Sequence, residues 1–116
     1  MEPSDIPNLF WKLGTVAVAG DSMEPTFAEG DWLLVRWTGP FKTGQVVVVE
    51  QESRPGVFLI KRLINFEGGK YWVEGDNQSK STDSRQWGAL DASEVRGRIL
   101  MRIRKVNSKR GRHRAR

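Results

Sequence analysis

Two residues of this chain stand where covalent chemistry could happen without outside help. Ser22 lies in Gly20-Asp21-Ser22-Met23-Glu24-Pro25-Thr26, a sharp break between two apolar runs. A serine on such a turn projects its Oγ and keeps its backbone N–H free for an oxyanion. Gly20 permits close backbone approach, and Pro25 fixes φ just behind the turn. Lys61 lies in the run VFLIKRLINF, residues 57–66. Strand alternation puts Lys61 on one face with Val57, Leu59 and Leu63, and Arg62 on the other with Phe58, Ile60 and Ile64. Both faces are otherwise apolar, so both are expected to be covered and at least one of the two cations desolvated. At an ordinary pKa near 10.4, only about one lysine in a few thousand is neutral at pH 7. Burial lowers that pKa, by up to roughly 3–5 units, and so makes a lysine into a base. Each residue also has a plainer reading: Ser22 as a turn residue, and Lys61 snorkelling to a sheet edge.

Elimination strengthens the pairing. The single histidine, His113, falls in a basic tail, so a Ser-His-Asp triad has no base in the body. The chain has no cysteine, which excludes a thiol nucleophile, a disulfide and cysteine-ligated metal. His-Glu-x-x-His, the aspartic protease signature and Gly-rich phosphate loops are missing too. For an enzyme with no cofactor and no metal, a serine activated by a lysine is the natural remaining design.

The elements that must position these residues read as β-structure. Candidate strands are Thr15–Ala19, Trp32–Trp37, Gln45–Glu50, Val57–Phe66, Lys70–Glu74 and Val95–Arg104, short runs separated by Gly and Pro. Gly68-Gly69 predicts a hairpin turn, and one helical turn is expected near Asp91–Glu94. No stretch sustains a 3.6-residue period. The expected fold is mainly β, a curved and partly closed antiparallel sheet. With 116 residues there is room for one core.

Charge divides the chain unevenly. Residues 96–116 hold ten of the 19 Lys and Arg and none of the 14 acids, which leaves nine basic against 14 acidic residues in the first 95. The body is therefore mildly acidic, and residues 105–116 are expected to be a disordered basic tail. No run approaches the roughly 20 apolar residues of a bilayer span, and Glu2 and Asp5 without Lys or Arg argue against a signal peptide. The expectation is a soluble, cytoplasmic product with peripheral membrane association through its tail.

Gly-x-Ser-Met-x-Pro-Thr at 20–26, Gly30-Asp31, Lys61-Arg62, Gly75-Asp76-Asn77 and Ser81-x-Asp83-Ser84-Arg85-x-x-Gly88 occur in that order. This motif set resembles that of signal peptidase I-like Ser/Lys-dyad peptidases over about residues 15–103, the catalytic core of a peptidase domain expected at 1–104. The resemblance implies a fold of the signal peptidase / LexA-like type, with Ser22 attacking the scissile carbonyl and Lys61 passing its proton to the leaving amine. It implies that Ser81 orients Lys61, that Asp83 and Arg85 form a loop-holding ion pair without a chemical part, and that Met23 is buried beside the nucleophile. Many relatives carry a hydroxyl residue where this chain has Gly20, so the oxyanion would rest on backbone amides at Ser22 and Gly20. The Pro-Gly-Asp that usually follows Lys-Arg is replaced here by Asn65-Phe66-Glu67-Gly68-Gly69. The expectation is therefore a relative without the N-terminal membrane anchor of signal peptidases.

Within that resemblance, small soluble members are similar to the maturation proteases of nickel-type superoxide dismutase. The expected substrate is thus a precursor protein losing an N-terminal leader, foremost the nickel superoxide dismutase proenzyme. The alternative is processing of exported proteins by a signal peptidase I. A self-cleaving repressor is disfavoured, because the first 14 residues cannot hold a helix-turn-helix. A reading of another class makes the chain a nucleic-acid or ribosome-binding module, its tail contacting RNA or anionic lipid. The acidic body offers no basic face to support it.

Overall fold

Alternating apolar residues pair into a single sheet in the computed structural model, which describes residues 12–105. The strands are β1 (Leu13–Ala17), β2 (Trp32–Arg36), β3 (Val46–Glu50), β4 (Phe58–Glu67), β5 (Lys70–Glu74), β6 (Leu90–Asp91) and β7 (Val95–Arg104). A four-residue helix, α1 (Ser84–Trp87), and two 3₁₀ turns, Gln78–Lys80 and Ala92–Glu94, complete the elements. The seven strands run in the order β1-β2-β7-β3-β4-β5-β6, every pair antiparallel. Register shifts interrupt β2–β7, β3–β7 and β4–β5. Such bulges bend a strand and increase its twist, and here the sheet curls into a half-barrel. The mainly β, partly closed antiparallel fold expected above is the observed one.

The curl divides the buried residues into two clusters where one core was expected. Val18, Met23, Leu33, Val35, Val46, Val48 and Ile99 form one, and Val47, Val49, Leu63, Val73, Leu90 and Val95 the other. Strand β3 feeds both, with Val46 and Val48 on one side and Val47 and Val49 on the other. All four valines are buried, as a run of apolar β-branched residues requires. Burying one such side chain contributes about 1.5–3 kcal/mol, so β3 anchors the molecule. Its neighbour β4 places Lys61 opposite Val47 and Arg62 opposite Val46.

Several expectations shift in detail. Strand β1 stops at Ala17 because Val18 bonds instead to the loop before β2, donating to the Asp31 carbonyl at 2.9 Å and accepting from Gly30 N–H at 2.8 Å. The Gly68-Gly69 hairpin forms as expected, with positive φ at both glycines (61° and 78°), the requirement of a two-residue primed turn. Val57 lies outside β4, and Phe58 and Ile64 are 49% and 40% exposed, so the Arg62 face of β4 is covered only around Ile60. Helix α1 and strand β6 were not expected. The helix is too short for a periodic signal, yet Asp83-x-x-Gln86 is a capping box, with Asp83 accepting from the helix N-terminus and Gln86 bonding back to Asp83 N–H at 2.8 Å. The expected helical turn near 91–94 is the second 3₁₀ turn. Nearly all of the proposed basic tail, His113 included, lies outside the described residues.

Candidate active site

The turn that carries Ser22 is pinned at both ends. Met23, 1% exposed, plugs it into the first core. Phe27 N–H closes onto the Met23 carbonyl at 3.0 Å, and Glu24 N–H onto that of Asp21 at 3.2 Å. After the turn, buried Asp31 accepts from Ala28 N–H at 3.0 Å and from Arg102 Nη1 at 3.3 Å, which fixes the entry into β2.

From the opposite side, the segment after β5 grips the same turn. Asn77 N–H donates to the Ser22 carbonyl at 2.8 Å, and Asn77 Nδ2 to the Asp21 carbonyl at 3.0 Å. Asp76 accepts the Thr26 hydroxyl at 2.5 Å and a bidentate fork from Arg62, Nε at 2.8 Å and Nη2 at 2.7 Å. Arg62 Nη1 also donates to the Gly44 carbonyl at 2.7 Å. Gly75 is where the backbones meet: a Cβ there would lie 2.7 Å from the Ser22 carbonyl oxygen, 2.6 Å from Ser81 Cβ, and against Ser81 Oγ. No side chain fits between them. The sequence marked Gly75-Asp76-Asn77 as one of the ordered motifs without disclosing this role, since its partners are distant in the chain.

Lys61 comes from the middle of β4 and is only 4% exposed. Its Nζ donates to Ser81 Oγ at 3.0 Å, and the Ser81 hydroxyl donates on to Asp83 Oδ2 at 2.6 Å. Burial pushes the Lys61 pKa below its ordinary value; the Asp83 carboxylate opposes that shift and the Arg85 cation adds to it. Asp83 is completely buried. Burial alone would raise its pKa, but the donors around it win and hold it well below the usual carboxylate range. They are Arg85 Nη2 at 2.7 Å and Nε at 2.9 Å, Ser81 Oγ, Gly75 N–H at 2.8 Å and Arg85 N–H at 3.1 Å. Asp83 and Arg85 are paired at 2.7 Å, and the same carboxylate accepts from Ser81, the partner of the lysine.

Ser22 and Lys61 meet across a cleft with two arms. The first, about 330 Å³, runs between Val16–Ala19, at the end of β1, and Phe58–Lys61, with Met23 and Val48 beneath. The second, about 230 Å³, is lined by Gly20, Asp21, Arg54, Lys80, Thr82 and Trp87. Ala19, Ser22, Leu59 and Lys61 line both arms and mark their junction. Among the described residues, Ser22 N–H donates to no protein acceptor, and the recorded partner of Lys61 Nζ is Ser81 rather than Ser22. Gly20, at φ 80°, stands on the wall of the second arm.

A buried lysine facing a turn serine across an open cleft is an arrangement found in peptide hydrolases of serine type, and comparison with known proteins gives the same class. Residues 9–100 match the family described as Peptidase S24-like. Subunit 1 of the mitochondrial inner membrane protease of Xenopus tropicalis is 33% identical over 119 aligned residues, covering 81% of this chain and 71% of that protein. The human subunit 1 is 32% identical, covering 78% and 69%. Signal peptidase I of Bacillus licheniformis is 27% identical, covering 69% and 70%. The chain belongs to the Peptidase S24-like family and is a signal peptidase-like serine peptidase. Among the described residues, no helix is long and apolar enough to cross a membrane.

Proposed function

We propose that the chain is an endopeptidase in which Ser22 is the nucleophile and Lys61 the general base, and that it removes an N-terminal leader from a precursor protein. The observation that carries this reading is Lys61, almost fully buried with its pKa lowered by that burial, on the same cleft as Ser22. Neutral Lys61 takes the Ser22 proton as Oγ attacks the scissile carbonyl, and returns it to the leaving amine. Ser81, itself committed as a donor to Asp83, can only accept from Lys61; one lysine N–H is thereby parked and the nitrogen lone pair is turned elsewhere. Catalytic hydrogen bonds are commonly longer before substrate is present, which accommodates a Ser22–Lys61 bond that tightens on binding. The Ser22 N–H, free in this structure, and the adjacent backbone at Gly20 would receive the oxyanion. Substrate would lie extended in the first arm beside β1, its small or apolar side chains against Val16, Val48 and Ile60.

For the precursor, the motif set supports the proenzyme of nickel-type superoxide dismutase. A second reading, processing of exported preproteins, is favoured by the names of the relatives. Incubating the purified chain with each precursor and sequencing the new N-termini decides between them. Ser22→Ala should leave both precursors intact; a Ser22→Ala protein that still cuts would overturn the assignment of the nucleophile.

A further inference from the structure

The two arms of the cleft differ in charge. The first is lined by Val16, Ala17, Val18, Met23, Val48, Phe58 and Ile60, with no ionisable group beyond the junction lysine. The second carries two cations that come from different loops: Arg54 from the β3–β4 connection and Lys80 from the end of the first 3₁₀ turn. Neither has a carboxylate partner among the described residues. Arg54 makes one long bond, Nη2 to Gln51 Oε1 at 3.4 Å, and Lys80 donates no recorded side-chain bond. Arg62, Lys70, Arg85, Arg96 and Arg102 are each matched to a carboxylate; Arg54 and Lys80 are instead free to take one, and they share one arm of the cleft. The one acid on the second arm is Asp21, opposed there by the two cations.

Resting on the peptidase reading above, we propose that the second arm is a subsite for an acidic side chain, with Arg54 and Lys80 as the specificity-determining residues. A substrate would then place apolar side chains on one side of the scissile bond and an aspartate or glutamate on the other. Because Ser22 and Lys61 stand at the junction where this arm begins, that acid lies close to the cut along the extended substrate. Arg54 supplies a planar fork suited to a carboxylate, and Lys80 a mobile point charge from the facing loop. Trp87 and Thr82 complete the wall with an apolar surface and a hydroxyl.

The test uses the full chain and a peptide whose cleaved bond has been mapped, with Ala, Glu or Lys substituted singly at the three positions on each side. The readout is the ratio of kcat/KM for Glu over Ala within one enzyme, so that a general loss of activity cancels. Wild type should prefer Glu about three- to tenfold at a position on one side only, from two partly exposed ion pairs. The preference should lie mainly in KM and shrink as salt rises. In Arg54→Glu/Lys80→Glu the same position should prefer Lys. Equal rates for Ala, Glu and Lys in wild type, or a Glu preference that survives the double charge reversal, would overturn the subsite and leave the peptidase reading standing. Cleavage of no peptide and no precursor would overturn that reading, and the subsite with it.

Discussion

Lys61 and Arg62 are neighbours in β4, and the sheet turns them to opposite faces with opposite consequences. Arg62 meets Asp76 in a two-bonded fork that raises the arginine's pKa and lowers the aspartate's, so both charges are held in place. Lys61 meets a neutral hydroxyl instead, and burial outweighs the Asp83 carboxylate lying one residue further out. One cation is made permanent and used as a brace; the other is made easy to discharge. The difference is the first partner. A carboxylate in direct contact stabilises an ammonium, whereas a serine placed between the two allows desolvation to prevail.

The largest expected effects come from breaking the Lys61 side. Lys61→Ala and Lys61→Arg should each lower kcat by more than about 10³-fold in a single-turnover assay, since a guanidinium cannot give up its proton at usable pH. Lys61→Met should be equally inactive yet at least as stable as wild type at pH 7. A buried lysine with a lowered pKa costs stability at every pH below its unfolded pKa, in full below the folded value and progressively less as pH rises between the two. A fall of several degrees in the Tm of Lys61→Met would contradict that account.

Ser81→Ala sharpens the same side. It should reduce kcat about 10- to 100-fold, because the lysine nitrogen loses its fixed orientation. It would also bring no competing acceptor between Lys61 and Asp83, so the apparent pKa on the acid limb of the kcat/KM profile should move. In wild type that profile should rise with pH and level off above a Lys61 pKa below 10.5. A purely structural serine would change the height of the profile and leave its midpoint in place.

On the Arg62 side the effects should be smaller and of another kind. Asp76→Ala removes the Arg62 fork and the Thr26 bond. It should cost about 2–3 kcal/mol in urea unfolding, with kcat reduced through a looser Ser22 turn. The Asp76 pKa is lower in the folded chain, so its stabilising contribution is complete above the ordinary carboxylate range and is lost as pH falls through the folded value. Wild type should therefore lose stability on acidification below about pH 4 more steeply than Asp76→Ala does. Identical acid transitions would show that the brace is not the acid-sensitive element.

How much of this was legible in the sequence differs between the same two sides. Strand positions and the facing of Lys61 with Leu59 and Leu63 followed from alternation, because a period of two leaves little freedom once one face is buried. Ser22 was visible as a polar residue on a Gly- and Pro-marked turn. The grip of Asn77 on the carbonyls of Asp21 and Ser22 was not, because backbone carbonyls carry no sequence signature and the contact spans more than fifty residues. The same holds for Arg54 and Lys80, two surface cations on separate loops that only the folded sheet brings to one arm of a cleft. Exposure of Phe58 and Ile64 was missed for a related reason: apolar composition marks a face as able to be covered, and the elements available decide whether it is.

Gly75 has one further consequence. The Ser22 carbonyl and the Ser81 hydroxyl that accepts from Lys61 press on it, with no space for even a methyl group. The approach of the Ser22 turn to the serine that holds Lys61 is thus set by the thickness of a bare peptide. Adding a single carbon at that point would wedge the two halves of the machinery apart, so in a mutational survey a position with no functional group of its own should behave like the reacting residues themselves.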